Sequence, residues 1–200
     1  LHLCHHNLES IDTDKIDSGK ATHKLLAEVC YAANYEGESI KHYSEKYDEQ
    51  YPSSGSGYGS TMCTMLARSF ADIGDIVRGR DLYRGNDKEK VKLEKKLKKI
   101  FKKIYKDLKN GKKGAQKRYK DDTTDFFQLR EDWWALNRQD VWKAITCNAD
   151  HGNRYFRKTC GDDSGTLSHA SNKCRCRSKN LKEETDQVPT YFDYVPQYLR

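Results

Sequence analysis

Seven cysteines constrain this chain more than any other feature, because its apolar residues are few. Hydrophobic residues make up 36% of the 200 positions and charged residues 34%, so the core is expected to be thin. Small cores are commonly braced by disulfides in oxidising compartments. We therefore predict an exported, disulfide-braced protein. The candidate bridging residues are Cys4, Cys30, Cys63, Cys147, Cys160, Cys174 and Cys176.

Zinc is the alternative use of these cysteines. One residue separates Cys174 from Cys176, and Cys4 is followed by His5 and His6. Structural zinc sites usually draw on paired ligands two to four residues apart at each end. The scattered spacing therefore favours disulfides over metal, and we expect neither a metal nor a cofactor.

The connectivity can be predicted only in outline. Because seven is odd, at least one cysteine is free or has its partner outside this sequence. We predict that Cys4 pairs with Cys30, since both precede a Gly/Ser-rich segment. Bridges that brace the loop after Cys147 are expected to include Cys160, Cys174 and Cys176.

Apolar residues at helical spacing predict a mainly α fold, a disulfide-braced helical bundle with long irregular loops. The predicted helices span residues 22–35, 39–47, 61–77, 88–109 and 124–147. A Gly/Ser loop is predicted at 51–60, and an irregular, cross-linked loop region at 148–187. No run of 18 apolar residues occurs, so an export signal or membrane anchor is expected outside this sequence.

The segments 61–77 and 124–147 have the largest apolar faces, so we expect them to pack together at the centre. Gly74 either lets another helix approach closely or is a tolerated surface glycine. The apolar residues of the later helix are Phe127, Leu129, Trp133, Trp134, Leu136, Val141, Trp142 and Ile145. The two adjacent tryptophans must face different neighbours, and core packing is favoured over ligand stacking.

Carboxylates in these helices are interpreted as structural rather than catalytic. Asp72 and Asp75 lie one turn apart, and a buried or half-buried ion network is expected with Arg68, Arg78 and Arg80. The neighbouring carboxylates Glu131 and Asp132 are also flanked by arginines. Arginines hold such carboxylates ionised, and no nucleophile–base motif is evident, so we predict that the protein is not an enzyme.

Positive charge is concentrated in residues 88–120, where fifteen lysines and one arginine oppose three acidic residues, a net charge of +13. The remaining residues carry −6, since the whole chain carries +7. Such an array suits a sulfated glycan or a nucleic acid, and it can equally be the solvated face of an amphipathic helix. The cysteines favour a disulfide-braced exported protein, which argues against a nucleic-acid ligand. The predicted glycan contacts are Lys95, Lys98, Lys99, Lys102, Lys103, Lys106, Lys109, Lys112 and Lys113.

Three blocks of sequence carry a family resemblance. They are ARSFADIGDIVRGRD at 67–81, LREDWW at 129–134 continuing through NR at 137–138 to VWKAITC at 141–147, and VPTYFDYVPQYLR at 188–200. Together they resemble the alpha-class Duffy-binding-like domains of the Plasmodium falciparum erythrocyte membrane protein family. The resemblance implies a helical, disulfide-linked fold with three subdomains. Residues 1–60 would end the first subdomain, residues 61–200 would form the second, and the third would be absent.

The resemblance also implies a function. Members of this family are adhesins on the infected erythrocyte, and the alpha class is associated with rosetting through glycans or erythrocyte receptors. The expected partners are therefore host erythrocyte receptors, sulfated glycans and host antibodies, with extracellular display at the infected-cell surface. The alternative is a basic helical scaffold or nucleic-acid-binding protein.

Overall fold

The described part of the chain in this computed structural model comprises residues 13, 16–50, 59–81, 88–111, 113–161, 166–177, 184–185 and 188–200. It contains five α-helices: α1 (Ala21–Gln50), α2 (Gly59–Arg78), α3 (Lys88–Gly111), α4 (Lys113–Arg118) and α5 (Phe127–Ile145). Four short strands follow as two antiparallel pairs: β1 (Lys158–Gly161) with β2 (Leu167–His169), and β3 (Cys176–Arg177) with β4 (Glu184–Thr185). The predicted mainly α fold with irregular, cross-linked loops is confirmed.

Helix α1 is longer than predicted, because the two helices expected at 22–35 and 39–47 are one continuous helix. Gly37 lies in the interval between them and is buried against the end of α5. A Cβ atom built there would lie 2.1 Å from the carbonyl oxygen of Ile145. The glycine therefore marks a close approach of two helices rather than a break in one.

The centre of the core lies between α2 and α5, as predicted. Phe70 of α2 packs against both Trp134 and Trp142, with ring centroids 5.2 and 5.1 Å apart. Gly74, one turn along α2, is buried and faces Trp134, whose ring would lie 2.8 Å from an added Cβ. The close-approach interpretation of Gly74 is thus confirmed, and α1 completes the core through Leu25 and Val29.

The two adjacent tryptophans face different helices, as expected. Trp133 meets Phe101 of α3 edge-on at 6.2 Å, whereas Trp134 faces α2. Two of the apolar residues of this helix lie outside the core, since Leu136 is 82% exposed and Phe127 is 44% exposed. Helix α5 packs against α1, α2 and α3 but keeps one outward strip, and periodicity alone could not show which apolar residue lies on it.

Two disulfides cross-link the segment after α5. Cys63 of α2 pairs with Cys174, and Cys160 pairs with Cys176. The prediction that the three late cysteines brace this region is therefore confirmed. The tight turn between Asn172 and Arg175 is closed by backbone hydrogen bonds in both directions between these two residues.

The predicted Cys4–Cys30 bridge is wrong, because Cys30 has a free thiol, as does the exposed Cys147. Cys30 is half-buried in α1, and this burial, with a smaller contribution from the charge of Asp140, raises its pKa to about 11. A thiol held protonated in this way is a poor nucleophile. Cys4 lies outside the described residues, as does the predicted Gly/Ser loop up to residue 58.

A buried carboxylate holds the C-terminal segment against α2 and α5. Asp193 is fully buried and accepts hydrogen bonds from Arg138 at 2.5 and 2.9 Å and from the indole Nε1 of Trp134 at 2.8 Å. Arg78 donates to the backbone carbonyl of the same aspartate. Residues from α2 and α5 therefore converge on one residue of a short 3-10 turn, Phe192–Tyr194.

The predicted ion network around Asp72 and Asp75 is present and includes Arg78 as expected, but Arg200 rather than Arg80 completes it. Asp75 pairs with Arg78 at 2.9 Å, and Arg200 of the C-terminal segment reaches both aspartates. Burial raises the pKa of each aspartate, and Arg200 opposes that shift. Of the other predicted members, Arg80 pairs with Glu131 instead, and Arg68 is exposed.

The core is continuous from α1 to the segment after α5. The division into a first subdomain at 1–60 and a second at 61–200 therefore does not correspond to two separate cores among the described residues. It stays a proposal that rests on the resemblance alone.

Replacing Trp142 by alanine should strongly destabilise the protein, because its side chain is fully buried between Phe70 and Tyr155. We expect a loss of about 3–5 kcal/mol in the free energy of unfolding, a cost typical of such truncations. Leu136→Ala on the outward strip of the same helix is the control and should change stability by less than about 0.5 kcal/mol. Thermal unfolding followed by circular dichroism measures both; equal melting temperatures would refute the packing described.

Asp193→Asn should cost about 3–5 kcal/mol, because it leaves the Arg138 guanidinium buried without its counter-charge. The matched control is Asp121→Asn, the same change at an exposed position. Urea unfolding curves are the measurement, with the transition slope unchanged for both variants. An Asp193→Asn midpoint indistinguishable from that of the control would mean that this ion pair does not hold the C-terminal segment.

Candidate functional site

Helix α3 presents a row of exposed lysines at alternating steps of three and four residues. We call this row the lysine stripe; it consists of Lys92, Lys95, Lys99, Lys102, Lys106 and Lys109. Residues at this spacing share one face of a helix. The row extends for about 25 Å at a rise of 1.5 Å per residue. Six ammonium groups are thus arranged nearly in line.

The opposite face of α3 explains why the stripe points to solvent. Leu97, Ile100 and Phe101 are almost fully buried, and Leu93 and Ile104 are 4% and 3% exposed. These residues also recur at steps of three and four, but they lie on the side that contacts α5 and α1. Since one face is buried in the core, the lysines are left on the other.

Two of the predicted contact lysines lie on the flanks of the stripe and bond to the protein itself. Lys98 Nζ lies 2.5 Å from a carboxylate oxygen of Asp125. Lys103 Nζ donates to the backbone carbonyls of Thr13 and Ile16 at 2.5 and 2.7 Å. These contacts fasten the segments before α1 and before α5 to α3. Both lysines are therefore structural in part.

The other predicted lysines fall into two groups. Lys95, Lys99, Lys102, Lys106 and Lys109 lie together in the stripe. Lys112 and the side chain of Lys113 lie outside the described part of the protein. Lys92 was missed by sequence reasoning, although counting three residues back from Lys95 on the exposed face would have found it.

Acidic residues of α3 do not interrupt the stripe. Glu94 faces the protein, where its carboxylate accepts two hydrogen bonds from Arg130 at 2.8 and 3.0 Å. Asp107 lies one turn from Lys103, on the same flank. Between Lys92 and Lys109, the stripe itself therefore contains no acidic residue.

A second candidate is a cleft of about 570 Å³ between α1 and the residues that follow α5. Its lining includes His42, His151 and the exposed thiol of Cys147. An ion pair crosses it: Lys41 Nζ lies 2.9 Å from Asp150, and this hydrogen bond is the main cause of the raised pKa of Lys41. No group of three His, Cys, Asp or Glu side chains among the described residues could hold a metal.

None of the helices in the described ranges is both long enough and apolar enough to cross a bilayer.

Comparison with known proteins identifies the family. A model of the Duffy binding domain matches residues 1–200. The NTS-DBL1(alpha-1) domain of Plasmodium falciparum membrane protein 1 (PfEMP1) from the varO strain is 42% identical, with a TM-score of 0.74, over 99% of this chain and 40% of that one. A search of curated proteins gave no significant match.

Two structures of another PfEMP1 domain are also similar. The ICAM-1-binding DBLbeta domain of IT4var13 is 30% identical, with a TM-score of 0.68, over 100% of this chain and 39% of that one. The same domain bound to ICAM-1 matches at 28% identity and a TM-score of 0.65, over 99% of this chain and 40% of that one. The chain thus spans about 40% of the length of these solved relatives. It belongs to the Duffy binding domain family and resembles the Duffy-binding-like domains of PfEMP1 in both sequence and fold.

Proposed function

We propose that this protein is part of a host-cell adhesion module that binds a sulfated glycan through the lysine stripe of α3. Membership of the Duffy binding domain family supports adhesion, and one similar domain was solved in complex with ICAM-1. The observation that carries the glycan assignment is the row of six exposed lysines, unbroken by acidic residues. Heparan sulfate is the ligand class with the matching repeated negative charge.

The positive charge is concentrated on α3 rather than spread over the chain. Helix α3 contains eleven lysines and three acidic residues, a net charge of +8, whereas the whole chain carries only +7. A field of this kind steers polyanions to one face of the molecule and accelerates their encounter. Salt weakens it over a Debye length of about 8 Å at physiological ionic strength.

Nucleic acid binding is the second candidate, since phosphates would satisfy the same lysines. Disulfides disfavour it. Two bridges, Cys63–Cys174 and Cys160–Cys176, brace the loop region, and such bonds persist mainly in secreted and surface-exposed proteins. The module therefore acts outside the parasite, at the surface of the infected erythrocyte. Erythrocyte surface receptors and host antibodies are its other proposed partners.

Charge reversal of the stripe tests this function. The fourfold variant Lys95→Glu, Lys99→Glu, Lys102→Glu, Lys106→Glu should lower heparin affinity by about a hundredfold or more, given ~1 kcal/mol per lysine near an anionic surface. Lys98 and Lys103 are left unchanged because they bond to Asp125 and to backbone carbonyls. Surface plasmon resonance on immobilised heparin is the measurement, with far-ultraviolet circular dichroism to verify the helical content.

The matched control reverses four exposed lysines off the stripe, at Lys20, Lys46, Lys120 and Lys158. It changes net charge by the same amount, so a loss confined to the stripe variant separates a local site from a general charge effect. An equal loss of heparin affinity in both variants would mean that the stripe is only a solvated face and not a binding site. Unchanged binding in the stripe variant would place the glycan site elsewhere.

A further inference from the structure

The chemical composition of the lysine stripe is uniform. Helix α3 contains no arginine, and every cation on its exposed face is a lysine. Arginine presents five N–H donors in a rigid planar fork, which suits bidentate recognition of an oxyanion in one orientation. Lysine is a compact charge on a flexible stem with freely rotating donors. A row made only of lysines therefore does not select one orientation of a bound sulfate group.

The cleft described above is not part of the stripe. The cleft of about 570 Å³ is lined by residues of α1 and of the region after α5, and none of its lining residues belongs to α3. The stripe lies on the convex surface of a helix whose apolar side is buried. A convex surface of mobile ammonium groups has no walls with which to recognise the shape of a sugar ring.

Its geometry instead matches a line of charge. Neighbouring lysines at steps of three and four are about 5–6 Å apart at their Cβ atoms. The flanking lysines are partly withdrawn, since Lys98 pairs with Asp125 and Lys103 with the carbonyls of Thr13 and Ile16. The six lysines of the stripe form one row along the helix axis, about 25 Å long.

We infer that the stripe binds an extended sulfated glycan parallel to α3 and reads its charge per unit length, not its sugar sequence or the position of its sulfates. This inference rests on the proposed glycan function and specifies how that ligand is recognised. Selectivity among glycans would then follow from sulfate density and chain length.

Chemically modified heparins test the mode of recognition on the purified protein. Heparins that lack the 2-O-, 6-O- or N-sulfates, prepared with equal total sulfate, should bind with affinities within about threefold of one another, as expected when lysine contacts are sequence-independent. Linear polyphosphate of matched charge and length is a sugar-free probe and should bind within about tenfold of heparin by the same argument. Size-defined oligosaccharides should gain affinity steeply until they span about 25 Å, the length of the stripe, and only slightly thereafter.

Salt dependence tests the line of charge at single residues. If all six lysines contact the polyanion, the logarithm of the affinity should fall with the logarithm of salt concentration with a slope of about −4, taking ~0.7 per contact. Lys99→Ala in the stripe should reduce that slope by about 0.7, whereas Lys98→Ala on the flank should leave it nearly unchanged. Isothermal titration at several salt concentrations gives these slopes.

The outcomes separate this inference from the proposed function. If heparin does not bind, or binds equally well after reversal of the stripe, the proposed function fails. If heparin binds through the stripe but loss of one sulfate position abolishes binding at equal charge, the function stands and the inference fails. Failure of polyphosphate to bind while heparin binds would also overturn the inference.

Discussion

The position of the C-terminal segment depends on the buried ion pair between Asp193 and Arg138. The Asp193 carboxylate is fully buried and is neutralised by Arg138, with a third donor in the Trp134 indole. Burial of an ion pair adds little stability by itself, but removing one partner is costly. The 3-10 turn that contains Asp193 therefore has one favourable position, beside α2 and α5. The contacts of Asp193 therefore fix the position of this turn and add little to the free energy of unfolding.

Aromatic residues complete this arrangement. The guanidinium of Arg138 lies 5.1 Å from the ring centroid of Tyr191 and 5.6 Å from that of Tyr194, and Arg78 lies 4.7 Å from Tyr194. Cation–π contacts of this kind contribute on the order of 1 kcal/mol each when partly exposed. The arginines thus bind Asp193 on one side and tyrosines on the other, which explains how a segment with little regular structure is held in place.

The disulfide-linked region compensates for backbone strain. Lys173 and Cys174 both have positive φ angles, 52° and 57°, although neither is a glycine or asparagine. A two-residue turn of this handedness normally favours those residues. Here the Cys63–Cys174 bridge holds the turn, and Arg175 extends from it to the Thr146 hydroxyl at 2.8 Å and the Lys143 carbonyl at 3.3 Å. The strained turn thereby supplies hydrogen bonds at the C-terminal end of α5.

The helical class, the central pairing of α2 with α5 and the basic face of α3 could all be predicted from the sequence. These follow from periodicity and charge, which act between residues close in the chain. The structure was needed to show that Gly37 lies within one continuous helix, that Gly74 allows a close approach of α5, and that Cys30 is a free thiol. It also decided that Lys98 and Lys103 belong to the protein's own contacts while Lys92 joins the stripe. These features depend on contacts with residues more than 25 positions away, or on which helix face is buried. Local sequence patterns do not specify such long-range contacts.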